Sequence, residues 1–173
     1  PLVKDCLVSA KRVPCEIVAE AFRKHCIDLF GDTEHPIHAF DGACRTAEQV
    51  ILKMRWVREN FPNLKVVFVE LVTTHRVAMG RVKERREKMA AAGLKPRDDD
   101  EPQKAEGRSK DYDQEIGLIR VAVEDICPGQ PHQIAYDDIT PTYAAAQIYN
   151  LLFPEISSDE ALRIIEQHDL AVA

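Results

Sequence analysis

Leu64-Lys65-Val66-Val67-Phe68-Val69-Glu70-Leu71 is the clearest strand in the chain, and it constrains the fold more than any other segment. It is apolar on both faces, which is the pattern of a strand covered from both sides in the middle of a parallel sheet. Two shorter strands are expected, at Pro36-Ile37-His38-Ala39-Phe40 and at Gln133-Ile134-Ala135-Tyr136, with helical periodicity between them. Strands alternating with helices imply an α/β layered domain whose sheet is mainly parallel. Three strands are few for such a sheet, and a central strand with its own helix is missing from the front.

The helices announce their ends. Val13-Pro14 opens one that runs to about Leu29, with Ile17, Val18, Ala21, Phe22 and Leu29 on its buried face. Thr46-Ala47-Glu48-Gln49 is a capping box, and Val50, Met54 and Val57 point inward behind it, before Phe61-Pro62-Asn63 stops the helix. Thr73 or Thr74 caps a charged helix that holds Arg81, Arg85 and Arg86 and ends near Gly93. Asp100, with Gln103 three residues on, starts a long helix containing Arg108, Tyr112, Ile116, Ile119 and Val123. Thr140-Pro141 caps another through Leu152, and Ser157-Ser158 begins a last amphipathic helix with Leu162 and Ile165. Residues 1–153 are expected to form the domain and 154–173 a C-terminal helical extension.

A chain of 173 residues has room for one domain with a real core. Its net charge of −6 argues against broad binding to nucleic acid or to an anionic membrane, both of which need a basic surface. It leaves room for a small anionic ligand, because a local arginine cluster can sit in an acidic protein. Cys6, Cys15, Cys26, Cys44 and Cys127 are odd in number, form no C-x-x-C pair and have no histidine at zinc-ligand spacing. Reduced thiols and a cytoplasmic location are the expectation. No signal peptide and no apolar run of membrane-spanning length is visible. The start at Pro1 fits either a trimmed terminus or a fragment.

Arginines carry the chemical signal. A planar guanidinium matches phosphate oxygens through paired hydrogen bonds and keeps its charge. Asp41-Gly42 stands where a strand gives way to a capped helix, the place where α/β sheets bind ligands. Gly42 would let a nucleotide approach the backbone, Arg45 could reach a phosphate, and Gln49 could offer an amide to a base edge. A capped helix start with an exposed arginine reads the same. Arg81 and Arg85 are one turn apart and share a face, which by itself also describes a solvated helix surface. Arg97-Asp98-Asp99-Asp100 comes next, answered by Arg108 and Tyr112. Adjacent aspartates cannot all face one ion, so no calcium loop is read there.

Taken in order, these residues resemble the adenylate kinase family of nucleoside monophosphate kinases. The family pattern D-G-F-P-R-T-x-x-Q is met by Asp41-Gly42-Ala43-Cys44-Arg45-Thr46 with Gln49. Its paired helix arginines are met by Arg81 and Arg85, its R-x-D-D by Arg97 with Asp99-Asp100, and its following arginine and aromatic by Arg108 and Tyr112. The resemblance covers roughly residues 7 to 153. It implies a P-loop fold like that of the monophosphate kinases, a three-layer parallel sheet flanked by helices, with residues 7–30 in the monophosphate-binding region and 86–97 as a short lid. It implies phosphoryl transfer from ATP to a monophosphate, AMP by the hint of Gln49, with Mg2+ accompanying ATP. Arg85, Arg97 and Arg108 would neutralise the transferred phosphates, Arg45 would hold the monophosphate near Val13, and Arg81 would lie against the ATP base. Asp41 would orient magnesium through water, and Asp99 and Asp100 would pair with arginines when the lid shuts. The lid lacks the four cysteines of zinc-bearing relatives, so no zinc is expected.

Two departures stand out. No G-x-x-x-x-G-K phosphate loop occurs anywhere in these residues, and Ala43-Cys44 replaces Phe-Pro. The resemblance therefore implies either the retained part of a longer kinase or a catalytically inactive scaffold or AMP-binding module. In both cases a partner chain or an upstream segment would complete the sheet, since its absence exposes apolar edges at Val66, Phe68 and Ile37.

Overall fold

The computed structural model describes residues 13–30, 37–97 and 100–172, with side chains as far as Gln167 in the last helix. Expectations that fell on residues 7–12, Pro36, Asp98 and Asp99 lie outside the described residues. The chain divides into two units. One takes residues up to Val66 together with Gln114–Pro128, and the other takes Val67–Asp113 with Gly129 onward.

The first unit is built on two helices, α1 (Cys15–Phe30) and α2 (Ala47–Asn60). Pro14 sits just before α1, and its carbonyl accepts from the amides of Ile17 and Val18, so the proline serves the first turn where its missing N–H costs nothing. The inward stripe of α1 is Ala19, Phe22, Cys26 and Leu29, with Ala19 and Cys26 fully buried. Ala21, expected inside, is exposed, because the 3-4-3 spacing of that stripe rotates it to solvent. On α2, Val50, Met54 and Val57 are buried. Between the helices Phe22, Phe30, Phe40, Trp56 and Phe61 form a chain of rings with centroids 5.0 to 6.4 Å apart, mostly edge-to-face. Such pairs add about 0.5–1.5 kcal/mol each beyond the area they bury.

The segment 37–40, expected to be a strand, has no regular structure and no ladder partners, and Ile37 is 52% exposed. Here ring packing holds the segment instead: Phe40 meets Phe22 at 5.2 Å and His38 meets Phe30 at 5.7 Å.

The second unit contains β1 (Val69–Val72), α3 (His75–Ala91), the first half of α4 (Pro102–Ile126), β2 (His132–Ala135), α5 (Pro141–Leu152) and α6 (Ser158–Val172). The strands pair in parallel, Val69 opposite His132 through Val72 opposite Ala135. Thr74 and Thr140 cap α3 and α5 through their hydroxyls. α5 packs on α6 through small side chains, with Ala144, Ala146 and Ala161 all buried.

The three-layer parallel sheet expected from the sequence does not form. Among the described residues the sheet has two strands, and helices make up most of the rest. Of the eight-residue apolar run only residues 69–71 join a strand, extended by Val72, because β2 offers only four residues to pair with. Upstream, the Leu64 amide closes a turn onto Phe61, and the Phe68 amide donates to the Gln130 side chain instead of to a neighbouring strand. Leu71 remains 41% exposed, so the run is not covered on both faces.

Candidate functional site

No residue of α3 is buried. Val77, Met79, Val82 and Met89 are half-buried, so its apolar side chains are only partly covered and its arginines add polar anchors. Gly93, with φ of +70°, ends the helix in the left-handed conformation that glycine adopts at low cost, while the Leu94 amide closes back on Met89. Beyond it the Asp100 amide donates to Arg97 O, a turn that sets the Asp100 carboxylate against α3. Arg85 grips that carboxylate with two nitrogens, Nε to Oδ2 at 2.7 Å and Nη2 to Oδ1 at 2.5 Å. Arg108 of α4 stands 3.7 Å from the same Oδ1.

Asp100 is wholly covered, yet Arg85 and Arg108, which flank it, are 44% and 43% exposed. The cover is thus largely a cationic shell near the surface. The Arg85 hydrogen bond holds the Asp100 carboxyl below the usual carboxylate range; its covering opposes this, and the charges of Arg85, Arg97 and Arg108 reinforce it. Arg85, Arg97 and Arg108 thus all act on the Asp100 carboxylate, in a chain whose total charge is −6.

Arg81, one turn before Arg85, takes a different partner. Its guanidinium lies 4.1 Å from the centre of the Tyr136 ring and donates to the Tyr136 carbonyl at 2.5 Å. Next to Tyr136, Asp137 accepts from the Thr73 hydroxyl at 2.6 Å and the Thr74 amide at 2.8 Å. Those bonds are the main reason its carboxyl titrates low. The carboxyl ends of both strands are thereby tied together beside the start of α3. On the sheet itself Glu70 accepts from Tyr112 Oη at 2.8 Å and Gln133 Nε2 at 3.0 Å. Tyr136 and Asp137 were not legible in the sequence as site residues; a Tyr-Asp pair directly after a strand was the available signal.

In the first unit Asp41-Gly42 forms a turn, with Gly42 at φ of +60° and the Arg45 guanidinium close to its open face. A side chain at Gly42 would strain the backbone. Asp41 and Arg45 are exposed, and Val13 is half-buried just before α1. Gln49 was expected to show its amide to a base edge. Instead it is 7% exposed, and its Oε1 accepts from the Arg45 amide at 3.0 Å while Thr46 Oγ1 accepts from the Gln49 amide at 3.2 Å. Gln49 therefore takes part in a helix cap through its Oε1.

Sequence reasoning also passed over Lys53. It is buried, its ammonium donates to the Ala43 carbonyl, and it lies 5.0 Å from the centre of the Phe22 ring. Burial is the main force lowering its pKa. Lys53 thus ties the backbone at Ala43 to α2.

Arg85, Arg97 and Arg108 thus converge on Asp100, Arg81 stands one turn away on Tyr136, and Asp41, Gly42, Arg45 and Gln49 form a separate group in the other unit. Asp99 lies outside the described residues. Among the described residues no group of three or more His, Cys, Asp or Glu is placed to hold a metal ion, and no helix is long and apolar enough to cross a membrane. No family model, curated protein or solved structure matches the chain.

Proposed function

We propose that this chain binds nucleotide phosphates through the arginines of its second unit, in the service of reversible phosphoryl transfer from ATP to a nucleoside monophosphate. The observation that carries the reading is the gathering of Arg85, Arg97 and Arg108 on one carboxylate while Arg85 and Arg108 stay nearly half exposed. A phosphate group brings more negative charge than Asp100 and the same paired-oxygen geometry, so it can compete for these donors. Phosphoryl transfer needs little covalent help and depends on positioning and charge neutralisation, which arginines supply. Arg81, whose guanidinium lies 4.1 Å from the centre of the Tyr136 ring, is proposed to face a base. In the first unit Arg45 beside the Gly42 turn is the residue proposed for a monophosphate. Mg2+ enters with ATP, and Asp41, an exposed carboxylate, is the oxygen donor proposed to orient its water. The resemblance to adenylate kinases supports AMP as the acceptor, with the Gln49 Oε1 engaged in the helix cap.

A second reading is favoured by one sequence fact. These residues contain no glycine-rich loop ending in lysine, so a triphosphate has no backbone cradle of that kind here. Monophosphate binding without transfer is the corresponding function. One experiment addresses both. Calorimetric titration with ATP, ADP and AMP, paired with an assay of ADP formation from ATP and AMP, is run on the chain and on Arg108→Ala. Transfer is expected to fall by about 10²–10³-fold in the variant. Binding of AMP with no transfer in either protein selects the second reading, and the absence of any nucleotide binding rejects both.

A further inference from the structure

The first residue of α3 meets α4 in an arrangement that phosphate binding does not use. Glu106 and Ser109 are three residues apart on α4, so their side chains leave the same face. The His75 ring sits between them. Its Nε2 is 3.2 Å from Glu106 Oε2, and its Nδ1 is 2.8 Å from Ser109 Oγ. A carboxylate can only accept, so the proton of a neutral His75 ring belongs on Nε2. That leaves the Nδ1 lone pair facing the serine, and the Ser109 hydroxyl donates to it. Nucleophile, base and orienting carboxylate then stand in the order required for acyl transfer. His75 and Glu106 are 51% and 42% exposed and Ser109 is half-buried, so a small electrophile can reach the hydroxyl from solvent. The other charged group on the relay is Lys110, whose ammonium is 3.7 Å from Glu106 Oε1 and leaves Oε2 to the ring.

We propose that Ser109, His75 and Glu106 form a nucleophilic site for small activated esters, in which Ser109 is transiently acylated. Ser109 Oγ attacks the ester carbonyl carbon while His75 Nδ1 takes its proton. The bond from that carbon to the leaving oxygen then breaks, and the departing alcohol or phenol takes the proton from His75. Water releases the acyl group by the reverse proton path, giving the carboxylic acid and restoring the serine. No oxidant or metal enters the balance. Glu106 is a positioning residue, since it holds the tautomer and touches no substrate.

The test uses p-nitrophenyl acetate with the whole chain, peptide mass spectrometry of the quenched protein, and a fluorophosphonate probe. The expected result is an acetyl adduct on Ser109, phosphonate labelling of the same residue, and loss of both in Ser109→Ala. His75→Gln should slow acylation by about 10²-fold or more, and Glu106→Gln by about tenfold with a shifted pH profile. Circular dichroism shows whether each variant keeps its helices. If Ser109→Ala loses them, the test rests on Glu106→Gln and on the labelled position in the unmodified chain. Acetylation confined to lysines, or a Ser109 rate indifferent to His75→Gln in a folded variant, overturns the proposal. Nucleotide binding is not involved in any readout, so this site stands or falls apart from the phosphate reading.

Discussion

At the scale of single residues, burial decides which polar groups are available. Cys26 is completely covered, and burial pushes its thiol up to about 11 against a smaller opposing pull from Lys53. At pH 8 about one Cys26 in a thousand is then thiolate, the form that reacts. Iodoacetamide is expected to leave Cys26 unmodified in the native chain and to label it once urea unfolds the first unit; rapid native labelling would show that the thiol is not enclosed. Lys53 is the converse case, a cation kept inside because it has work to do. Lys53→Ala removes the donor to Ala43 and the aliphatic stem beside Phe22, and should cost about 1–3 kcal/mol, read as a lower urea midpoint. The sequence hid Lys53 because it lies on the same face as Val50, Met54 and Val57, where periodicity records apolar residues and passes over a lysine. Gln49 was legible as a cap through the Thr46 box, and its Oε1 is engaged there.

Among the elements, helices were more fully legible than strands, although the strand expected at 133–136 forms as His132–Ala135. A helix satisfies its own backbone and marks its ends locally, so Thr46, Thr74, Thr140-Pro141 and Gly93 fall where their side chains or φ angles say they should. A strand exists only if a partner meets it, which is why residues 37–40 stay unpaired and the run from Leu64 contributes only residues 69–71 to β1. The arginine-aspartate grouping was visible in order and spacing, while Tyr136, Asp137, Ser109 and Glu106 needed the chain to fold back before they could be seen. α3 fully buries none of its side chains, and the Arg85–Asp100 pair is one of its attachments. Arg85→Ala should destabilise it by about 1–3 kcal/mol, the usual worth of hydrogen bonds to a charged group reduced by the exposure of Arg85. The Asp100 carboxyl is lowered in the folded state, so its contribution is fully present above the ordinary carboxylate pKa and is lost as pH falls through the lowered value. Protection of the α3 amides, taken relative to intrinsic exchange at each pH, is therefore expected to fall in acid, below the usual carboxylate range, and Arg85→Ala should flatten that dependence. A steep acid transition surviving in the variant would place the cause elsewhere. Gly80 makes the opposite point within the same helix. It has no positive φ and nothing near the position of an added Cβ, so Gly80→Ala should stabilise α3 by about 0.5–1 kcal/mol.

For the molecule as a whole, a pair of large apolar side chains stands exposed on one helix face. α4 turns Ala122 and Val123 inward, yet Leu118 and Val121 on its other side are 61% and 60% exposed. Ile51 on α2, in the same unit, is 39% exposed. Scattered apolar side chains are ordinary on protein surfaces, but Leu118 and Val121 are three residues apart and so share a helix face, where their areas add. A hydrophobic dye is expected to bind the native chain there. Replacing both with lysine should remove most of that fluorescence, since no contact is lost and lysine favours a helix more than valine does. Stability should stay within about 0.5 kcal/mol of the parent, as for any exposed substitution that breaks no packing. Dye fluorescence measured together with a urea titration separates the outcomes. Unchanged fluorescence with a loss of several kcal/mol would mean that these two side chains are packed against protein in solution, and that the face is already covered.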